Sequence, residues 1–529
     1  MKQKVIDTLK NHITCDFYLE KPKDMSLGHY ATPLAFSLAK ELKKSPMLIA
    51  NELALKLKSE PIFEEVTAIN GYINFKLTSS FMDEFVTNSL KNETDFAKGD
   101  KTGSYLIEYV SANPTGPLHI GHTRGAVIGD SLCSIGRHLG YTIKSEYYIN
   151  DAGNQIDLLG LSIYLRAQEL LFNDENVAWP EKYYRGEYIT DIIYKAKEKF
   201  GEEIFKDEKN LNTLSEFGKD YMMIEIPHEL EEININIQNY VSEKSLFPKW
   251  QETLKKLENN GKTYVQDGKI WLKSSDFGDE KDRVLVREDG VPTYIAGDII
   301  YHDDKFSREF DHYINIWGAD HHGYIARMMA AVNFLGYDEK KLEIILAQMV
   351  SLLKDGEPFK MSKRAGTSIL MSDVVSEIGS DALRFMFLSK KCDTHLEFDV
   401  DALKQNDNSN PVYYINYAHA RINQVFEKSG KTLQGVLSVK LENLNESATN
   451  LLFSALLLPE VLEDAFSSRQ LQKVTDYLKN LASLLHKFYN ENRVVGSEFE
   501  DIYLKLLSFV ALSLRTGLKL IGIKAKDKM

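Results

Sequence analysis

The stretch YLIEYVSANPTGPLHIGH, residues 105–122, gives the first indication of the fold. Residues 105–110 are mostly aromatic, β-branched and aliphatic, a composition typical of a strand. A loop with two prolines and a glycine follows, and apolar residues then recur with helical spacing over residues 128–139. Residues 141–149 again have the composition of a strand. Strand, loop, helix and strand form a βαβ unit, which predicts a parallel sheet.

Outward from this unit, the chain divides into predicted regions of different character. Residues 1–90 combine amphipathic helices with strands around the turn at Asn70-Gly71, which predicts a small α+β domain. Residues 100–380 form the α/β region, interrupted by a charged and mostly helical insertion at about 165–275. Residues 381–529 have helical patterns almost throughout. The prediction is therefore an α/β multidomain protein with an all-α C-terminal bundle.

Composition excludes several classes of protein. The chain has 529 residues, of which 43% are hydrophobic and 27% charged, and no apolar run approaches the roughly 20 residues of a membrane span. Its three cysteines lie far apart and its first residues lack the apolar core of a signal peptide, so we expect a cytoplasmic protein without disulfides. A net charge of -13 argues against a nonspecific nucleic-acid coat protein. Residues 469–529 are nevertheless net positive, although an ordinary solvated helix surface also explains that excess.

Two histidines mark the point where the first strand passes into its helix. His119 and His122 flank Gly121 at the predicted helix start, the place where open parallel sheets bind ligands. Free N–H groups and a partial positive charge at a helix N-terminus suit phosphate, and Gly121 allows a close approach. Two surface histidines are the alternative. A metal site would need a third ligand, and none is suitably spaced.

A second cluster, KMSKR at residues 360–364, lies on a loop signalled by Asp355-Gly356 and Pro358. Mobile lysines on such a loop can close over a polyphosphate and stabilise the charge of departing pyrophosphate. A solvated basic loop is the alternative explanation.

Together the two clusters resemble the HIGH and KMSKS motifs of class I aminoacyl-tRNA synthetases. They occur in this order in the two halves of one α/β region, and Arg364 in the last place of the second motif leaves both lysines intact. Further stretches resemble arginyl-tRNA synthetases, and the similarity is weakest in the insertion. These stretches are EYVSANP at 108–114, YIAGD at 294–298, GADHHG at 318–323 and NPVYYINYAHAR at 410–421.

The chemistry of arginine agrees with this resemblance. Its planar guanidinium offers five donors, which carboxylates and an aromatic face satisfy best. Glu108 and Asp298 lie near the predicted catalytic strands. Tyr294 and Asp298 lie four residues apart, on one face if that segment is helical.

The resemblance implies a Rossmann-like catalytic domain at 100–380 between an N-terminal domain that binds the tRNA D-loop and a C-terminal anticodon-binding bundle. Arginine would be activated by ATP to arginyl-adenylate and then transferred to the 3′ end of tRNA(Arg), giving AMP and pyrophosphate. The site residues so implied are His119, His122, Lys360 and Lys363 for catalysis; Pro114, Gly116, Leu118, His119, Gly121, His122, Met361 and Ser362 for ATP; Glu108, Ser111, Asn113, Tyr294 and Asp298 for arginine; and Asn70, Tyr72 and Asn74 for tRNA.

Mg²⁺ is expected only with ATP, held mainly by its phosphates, without a tightly bound protein metal. We expect a monomer without a membrane partner.

Three alternatives remain at this level. A catalytically dead RNA-binding paralogue would not need intact histidines and lysines. A small-molecule nucleotidyltransferase would not need the flanking domains. A class I synthetase for another amino acid is the nearest alternative, although the absence of a zinc-ligand set disfavours cysteine.

Overall fold

The βαβ unit predicted from residues 105–149 is present in the computed structural model, which describes residues 1–22, 24–358 and 369–529. Strand Ser104–Glu108 is followed by helix Ile120–His138 and then by strand Thr142–Ile149, which pairs with the first strand in parallel. The helix is buried along most of its length, as expected for a crossover helix that packs on a sheet.

The central sheet has five strands, and every pairing in it is parallel. Across the sheet the order is Leu342–Ala347, His312–Gly318, Ser104–Glu108, Thr142–Ile149 and Asn239–Ser242. The chain adds strands on both sides of Ser104–Glu108, so the order reverses there. Such a switch point opens a crevice at the carboxyl ends of the strands.

The predicted insertion range, about 165–275, contains the fifth strand of this sheet, Asn239–Ser242. The remainder of the range is mainly helical, as its charged, periodic sequence suggests. Helices before and inside this range are Asn154–Phe172, Tyr188–Phe200, Leu211–Glu232, Glu243–Leu246 and Trp250–Asn259.

Two smaller sheets flank the central one. One is an antiparallel sheet of Thr263–Gln266, Lys269–Leu272 and Arg283–Val286. The other small sheet contains Val350–Lys354, Glu357–Pro358 and Leu396–Asp399. Helices Tyr294–Phe306 and Ile325–Phe334 complete this part of the fold.

The N-terminal region has the α+β character predicted from its sequence. Its antiparallel sheet places Tyr72–Leu77 between Tyr30–Thr32 and Phe63–Ile69. The turn between the last two strands contains Asn70 and Gly71, both at positive φ. Its helices are Lys2–Lys10, Leu34–Leu42, Pro46–Leu57 and Ser79–Lys91.

The C-terminal region is helical and packs against the N-terminal one. Its buried Lys505 donates hydrogen bonds to Asp83 at 2.6 Å and Thr87 at 2.7 Å, across this junction. Its helices are Met371–Leu388, Val400–Lys404, Pro411–Ser429, Leu433–Val436, Glu446–Leu456, Leu458–Ser468, Gln472–Glu491 and Glu500–Leu520. None of the helices described is both long enough and apolar enough to cross a bilayer.

Candidate active site

The chain leaves the first strand through a strained turn that leads to the two histidines. Val110 and Ser111 have φ values of 69° and 41°, in the left-handed region that a β-branched residue such as valine rarely adopts. Tyr147 donates a hydrogen bond to the Ala112 carbonyl at 2.7 Å, which holds the turn in this conformation. Pro114 and Leu118, two of the residues predicted to bind ATP, are buried in the loop that follows.

His119 and His122 are stacked on each other at the start of helix Ile120–His138. Their ring centroids are 3.6 Å apart, with planes inclined by 23°. His119 is the N-cap residue, and its Nδ1 accepts a hydrogen bond from the N–H of Gly121 at 3.2 Å. A Cβ at Gly121 would lie 3.1 Å from the His119 ring, so glycine permits this close packing.

Both imidazoles are neutral near pH 7. Burial lowers the pKa of His122 to about 3, with a further contribution from His119, and burial also lowers the pKa of His119. The buried Nδ1 of His122 has no hydrogen-bond partner among the residues that the structure describes. The pair therefore offers a phosphate neutral hydrogen-bonding groups beside the positive end of a helix.

The GADHHG stretch, singled out in the sequence, faces these histidines. Asp320 lies on the 3₁₀ helix Ala319–Tyr324 and acts electrostatically on both His119 and His122, raising their pKa values against the larger effect of burial. His321 is bonded to Asp320 at 3.1 Å and remains exposed. This segment follows strand His312–Gly318 directly and therefore lies at the carboxyl edge of the sheet, close enough to the two histidines to influence them.

The segment after the predicted basic loop is joined to the histidine turn. The N–H of Ile120 donates to the Ile369 carbonyl at 2.9 Å, and the N–H of Met371 donates to the Leu118 carbonyl at 2.9 Å. Ile369 and Met371, which follow the predicted basic loop in sequence, are thereby anchored beside His119. Lys360, Met361, Ser362 and Lys363 themselves lie outside the described residues.

Two carboxylates with unusual protonation lie beside the crevice. Burial, together with the neighbouring charges of Glu243 and Glu108, raises the pKa of Asp298 to about 7. Burial raises the pKa of Glu243 to about 7 as well. The positive charge of Arg327 lowers the pKa of Asp298, but by less than each of those three effects raises it, and Arg327 is itself paired with Asp279.

Gly297 makes room for this pair. A Cβ at position 297 would lie 2.1 Å from Oε1 of Glu243, a distance that no real side chain tolerates. Tyr148 donates a hydrogen bond to Glu243 and orients it. The sequence prediction missed Glu243, because it lies in the range predicted as an insertion. The signal that could have found it is its place directly after strand Asn239–Ser242, at the carboxyl edge of the sheet.

Glu108, predicted to bind arginine, already has a cationic partner. It is 4% exposed, and Lys305, which is fully buried, donates to it at 2.6 Å. Ser111, also predicted to bind arginine, donates to the other carboxylate oxygen at 2.9 Å. The charge of Glu108 is therefore matched within the protein, whereas no residue that the structure describes forms an ion pair with Asp298 or Glu243.

The remaining predicted arginine residues also lie at the crevice. Tyr294 is the first residue of helix Tyr294–Phe306, so Tyr294 and Asp298 share one helical face, as the spacing predicts. Tyr294 is 61% exposed, and its ring lies against Gly153. Asn113 is half-buried in the turn before the histidines.

Comparison with known protein families shows to which family this chain belongs. The family model described as "tRNA synthetases class I (R), catalytic domain" matches residues 85–427. The chain belongs to the arginyl-tRNA synthetase family. Its activity is ATP-dependent arginine–tRNA ligation. Models of the arginyl-tRNA synthetase N-terminal domain and of the DALR anticodon-binding domain match residues 1–77 and 415–529.

Individual relatives support this assignment over the full length. An arginine–tRNA ligase from Campylobacter curvus is 64% identical over 97% of both chains, and one from Nitratiruptor is 61% identical over 100% of both. The Thermus thermophilus arginyl-tRNA synthetase has the same fold, with a TM-score of 0.78 at 21% identity over 100% of this chain and 99% of that one.

The residues that the family resemblance implied for tRNA differ in accessibility. Asn70 is at the exposed turn, and Tyr72 is 36% exposed with its ring 5.6 Å from that of Phe36. Asn74 is only 3% exposed. Its strand is the middle one of the sheet, and Asn74 lies between Ala31 and Thr67 of the two neighbouring strands. Its buried Nδ2 has no partner among the described residues. Asn70 and Tyr72 are therefore the accessible members of this set.

No group of three or more histidine, cysteine or acidic side chains that could hold a metal occurs in the described residues.

Proposed function

We propose that Asp298 and Glu243 bind the guanidinium of arginine while the turn containing His119 and His122 binds ATP. The observation that carries this assignment is the negative charge of Asp298 and Glu243, which no described residue matches with an ion pair, beside a Glu108 whose charge is already matched by Lys305. A guanidinium, which stays protonated at working pH, supplies the missing positive charge. Tyr294 would cover it with an aromatic face, and Ser111 and Asn113 would contact the rest of the amino acid.

The histidine turn suits the activation step. As the arginine carboxylate attacks the α-phosphate, negative charge on the phosphate oxygens is redistributed, and preorganised donors stabilise it. His119 and His122, neutral and stacked at a helix N-terminus, would act as such donors. Pro114, Gly116 and Leu118 would shape the binding surface for ATP, and Gly121 would allow its close approach. Mg²⁺ would arrive with ATP, held by its phosphates.

Lys360 and Lys363 would neutralise the departing pyrophosphate, with Met361 and Ser362 contacting ATP between them. This part of the proposal rests on the sequence KMSKR and on the family match. It is supported by the hydrogen bonds that join residues 369–371 to the histidine turn.

The flanking domains would bind tRNA(Arg). We propose a D-loop-binding domain at 1–90, a catalytic domain at 100–380 and an anticodon-binding bundle at 381–529. Asn70 and Tyr72 would contact an unpaired base by hydrogen bonding and stacking, the usual way in which proteins read single-stranded RNA. We also propose that the protein acts as a cytoplasmic monomer.

The lysine assignment is tested by separating the two steps. Lys363→Ala should slow arginyl-adenylate formation strongly and slow transfer from preformed adenylate much less, because pyrophosphate charge develops only in activation. Single-turnover measurements of each step check this. Lys390→Ala, which removes an exposed positive charge elsewhere, is the matched control and should leave both steps unchanged. Equal losses in both steps would contradict the role.

The tRNA assignment is tested at the exposed aromatic. Tyr72→Ala should raise the KM for tRNA by about fivefold or more, since stacking on a base is worth roughly 1–3 kcal/mol, while the KM for ATP stays unchanged. Tyr72→Phe should keep most of the affinity. Tyr18→Ala, which removes another exposed tyrosine of this domain, is the control. Unchanged charging kinetics over a range of tRNA concentrations would refute the contact.

A further inference from the structure

The backbone of Leu118 connects three segments of the active site that are distant in sequence. The N–H of Leu118 donates to Oε2 of Glu229 at 2.8 Å, and the carbonyl of Leu118 accepts from the N–H of Met371 at 2.9 Å. Leu118 is fully buried and directly precedes His119. These two bonds fix the peptide groups on both sides of the Leu118 Cα, and with them the direction in which the chain enters the histidine turn.

Glu229 comes from helix Leu211–Glu232, which lies in the predicted insertion and not in the sheet. The side chain is half-buried, and burial raises the pKa of its carboxyl to about 7, partly opposed by the hydrogen bond from Leu118. Either protonation state can accept that bond, because a neutral carboxyl keeps its carbonyl oxygen as an acceptor.

A second side chain of the insertion binds the same loop. The hydroxyl of Tyr188, from helix Tyr188–Phe200, donates to the Thr115 carbonyl at 2.7 Å. Its ring lies directly over Gly116, where a Cβ would come within 3.1 Å of the tyrosine oxygen. Tyr188 and Glu229 thus hold the loop at two points, three residues apart, before His119.

We propose that Glu229 and Tyr188 are positioning residues for amino-acid activation, through which the insertion holds the loop and turn that present His119 and His122 to ATP. This inference rests on the proposed role of the two histidines. It gives the insertion a function that does not depend on the sheet. The loop leaves a strained strand end at Val110-Ser111 and, among the described residues, has no sheet partner until Leu118 meets Met371. Side chains from two neighbouring helices supply hydrogen bonds to it instead.

The effect of releasing this loop should appear in the rate of activation. A displacement of about 1 Å in a group that stabilises the transition state can lower the rate by up to roughly a hundredfold. The carboxylates that face arginine belong to other segments, Glu243–Leu246 and Tyr294–Phe306, so arginine affinity should change little.

The experiment compares Glu229→Leu with Glu229→Gln in the full-length enzyme, by ATP–pyrophosphate exchange with tRNA present. Glutamine keeps an acceptor oxygen for the Leu118 N–H, whereas leucine of similar size has none. We expect kcat to fall by roughly ten- to a hundredfold in the leucine variant, with less than about a twofold change in the KM for arginine and near-parental rates for glutamine. Glu232→Leu, at an exposed position of the same helix, is the matched control.

Tyr188→Phe is a second test of the proposal, because this variant loses only a hydroxyl and keeps the packing over Gly116. We expect kcat to fall several-fold, with Tyr194→Phe, an exposed tyrosine of the same helix, unchanged. A parental kcat in both Glu229→Leu and Tyr188→Phe overturns the proposal. Equal damage from glutamine and leucine at position 229 also overturns it, because the acceptor would then not be what matters. If the leucine variant does not fold, the tyrosine variant alone decides.

Two further measurements distinguish a failure of this inference from a failure of the proposed function: hydrogen exchange at the Leu118 amide and the activity of His122→Ala. The Leu118 amide should exchange faster in Glu229→Leu and not in Glu229→Gln, and an unchanged exchange rate contradicts the positioning role. If His122→Ala loses activity while the positioning variants do not, only this inference fails. If His122→Ala remains fully active, the proposed role of the histidines fails first.

Discussion

The histidine turn and the carboxylate pair are two halves of one crevice, and they are prepared for their ligands in different ways. The turn around His119 is held by backbone hydrogen bonds that Ile120 donates to Ile369 and Leu118 accepts from Met371, and both of its imidazoles are neutral. The pocket around Asp298 is held by packing against Gly297 and carries negative charge that no described residue matches with an ion pair.

This difference indicates what each half does in the reaction. A turn with fixed donors requires little reorganisation when ATP reaches its transition state, which is how preorganised sites accelerate reactions. An acidic pocket whose partner is missing selects for a cation, because only a cation relieves the repulsion between its carboxylates. The turn should therefore govern rate, and the pocket should govern which amino acid is used.

The strongest test of the pocket is Asp298→Asn. The two side chains are nearly the same size, so the fold and ATP binding should persist. Losing one charge from a partly buried contact with a guanidinium should lower kcat/KM for arginine by about a hundredfold or more. Steady-state exchange kinetics with arginine and with citrulline, which is neutral and similar in shape, measure the effect; citrulline should lose far less. Asp304→Asn, on the same helix, is the control. Parental use of arginine would mean that Asp298 is not the guanidinium partner.

The matching test of the turn is His122→Ala. Removal of one preorganised donor should lower the adenylation rate by about a hundredfold, while the KM for arginine should remain close to that of the parent. Pre-steady-state adenylate formation at saturating ATP measures this rate, and exposed His228→Ala is the control. Should the KM for arginine rise as much as the rate falls, the separation between the two halves would be wrong.

A smaller effect is expected from pH, and it should be confined to the pocket. Free Asp298 and Glu243 titrate near pH 7 as a coupled pair. The proposed binding of arginine requires both carboxyls to be ionised, so it should release protons. The KM for arginine should rise by roughly tenfold between pH 7.5 and pH 6, with a flatter profile in Glu243→Gln. The KM for ATP should not follow this profile, because burial lowers the pKa values of both histidines and so favours their neutral forms.

The same shift determines how stability depends on pH. Because the two carboxyls bind protons more tightly in the folded chain, their contribution to the free energy of unfolding falls as pH rises from about 4 to about 7. Arginine should therefore raise the melting temperature more at pH 8 than at pH 6. An equal increase at both pH values would show that the pair is already ionised without its ligand.

Short-range patterns in the sequence were sufficient to predict the framework of the site. The βαβ unit, the histidines at the helix start and the common face of Tyr294 and Asp298 all follow from spacing over a few residues, because strands and helices impose short periods on side-chain direction. The same reasoning was incomplete at Asn74: residues 72 and 74 share a strand face, but only Tyr72, beside the turn, is accessible.

Only the tertiary structure decided which charges meet. Lys305 pairs with Glu108 across 197 positions, Glu229 reaches Leu118 across 111, and Glu243 joins Asp298 from a segment that the sequence suggested was outside the sheet. The spacing of residues within one helix or strand does not predict such pairings, because they form where separate elements pack together. The sequence by itself thus determined the elements and the types of chemical group that this protein has, and packing decided which groups are neutralised and which are left to bind a ligand.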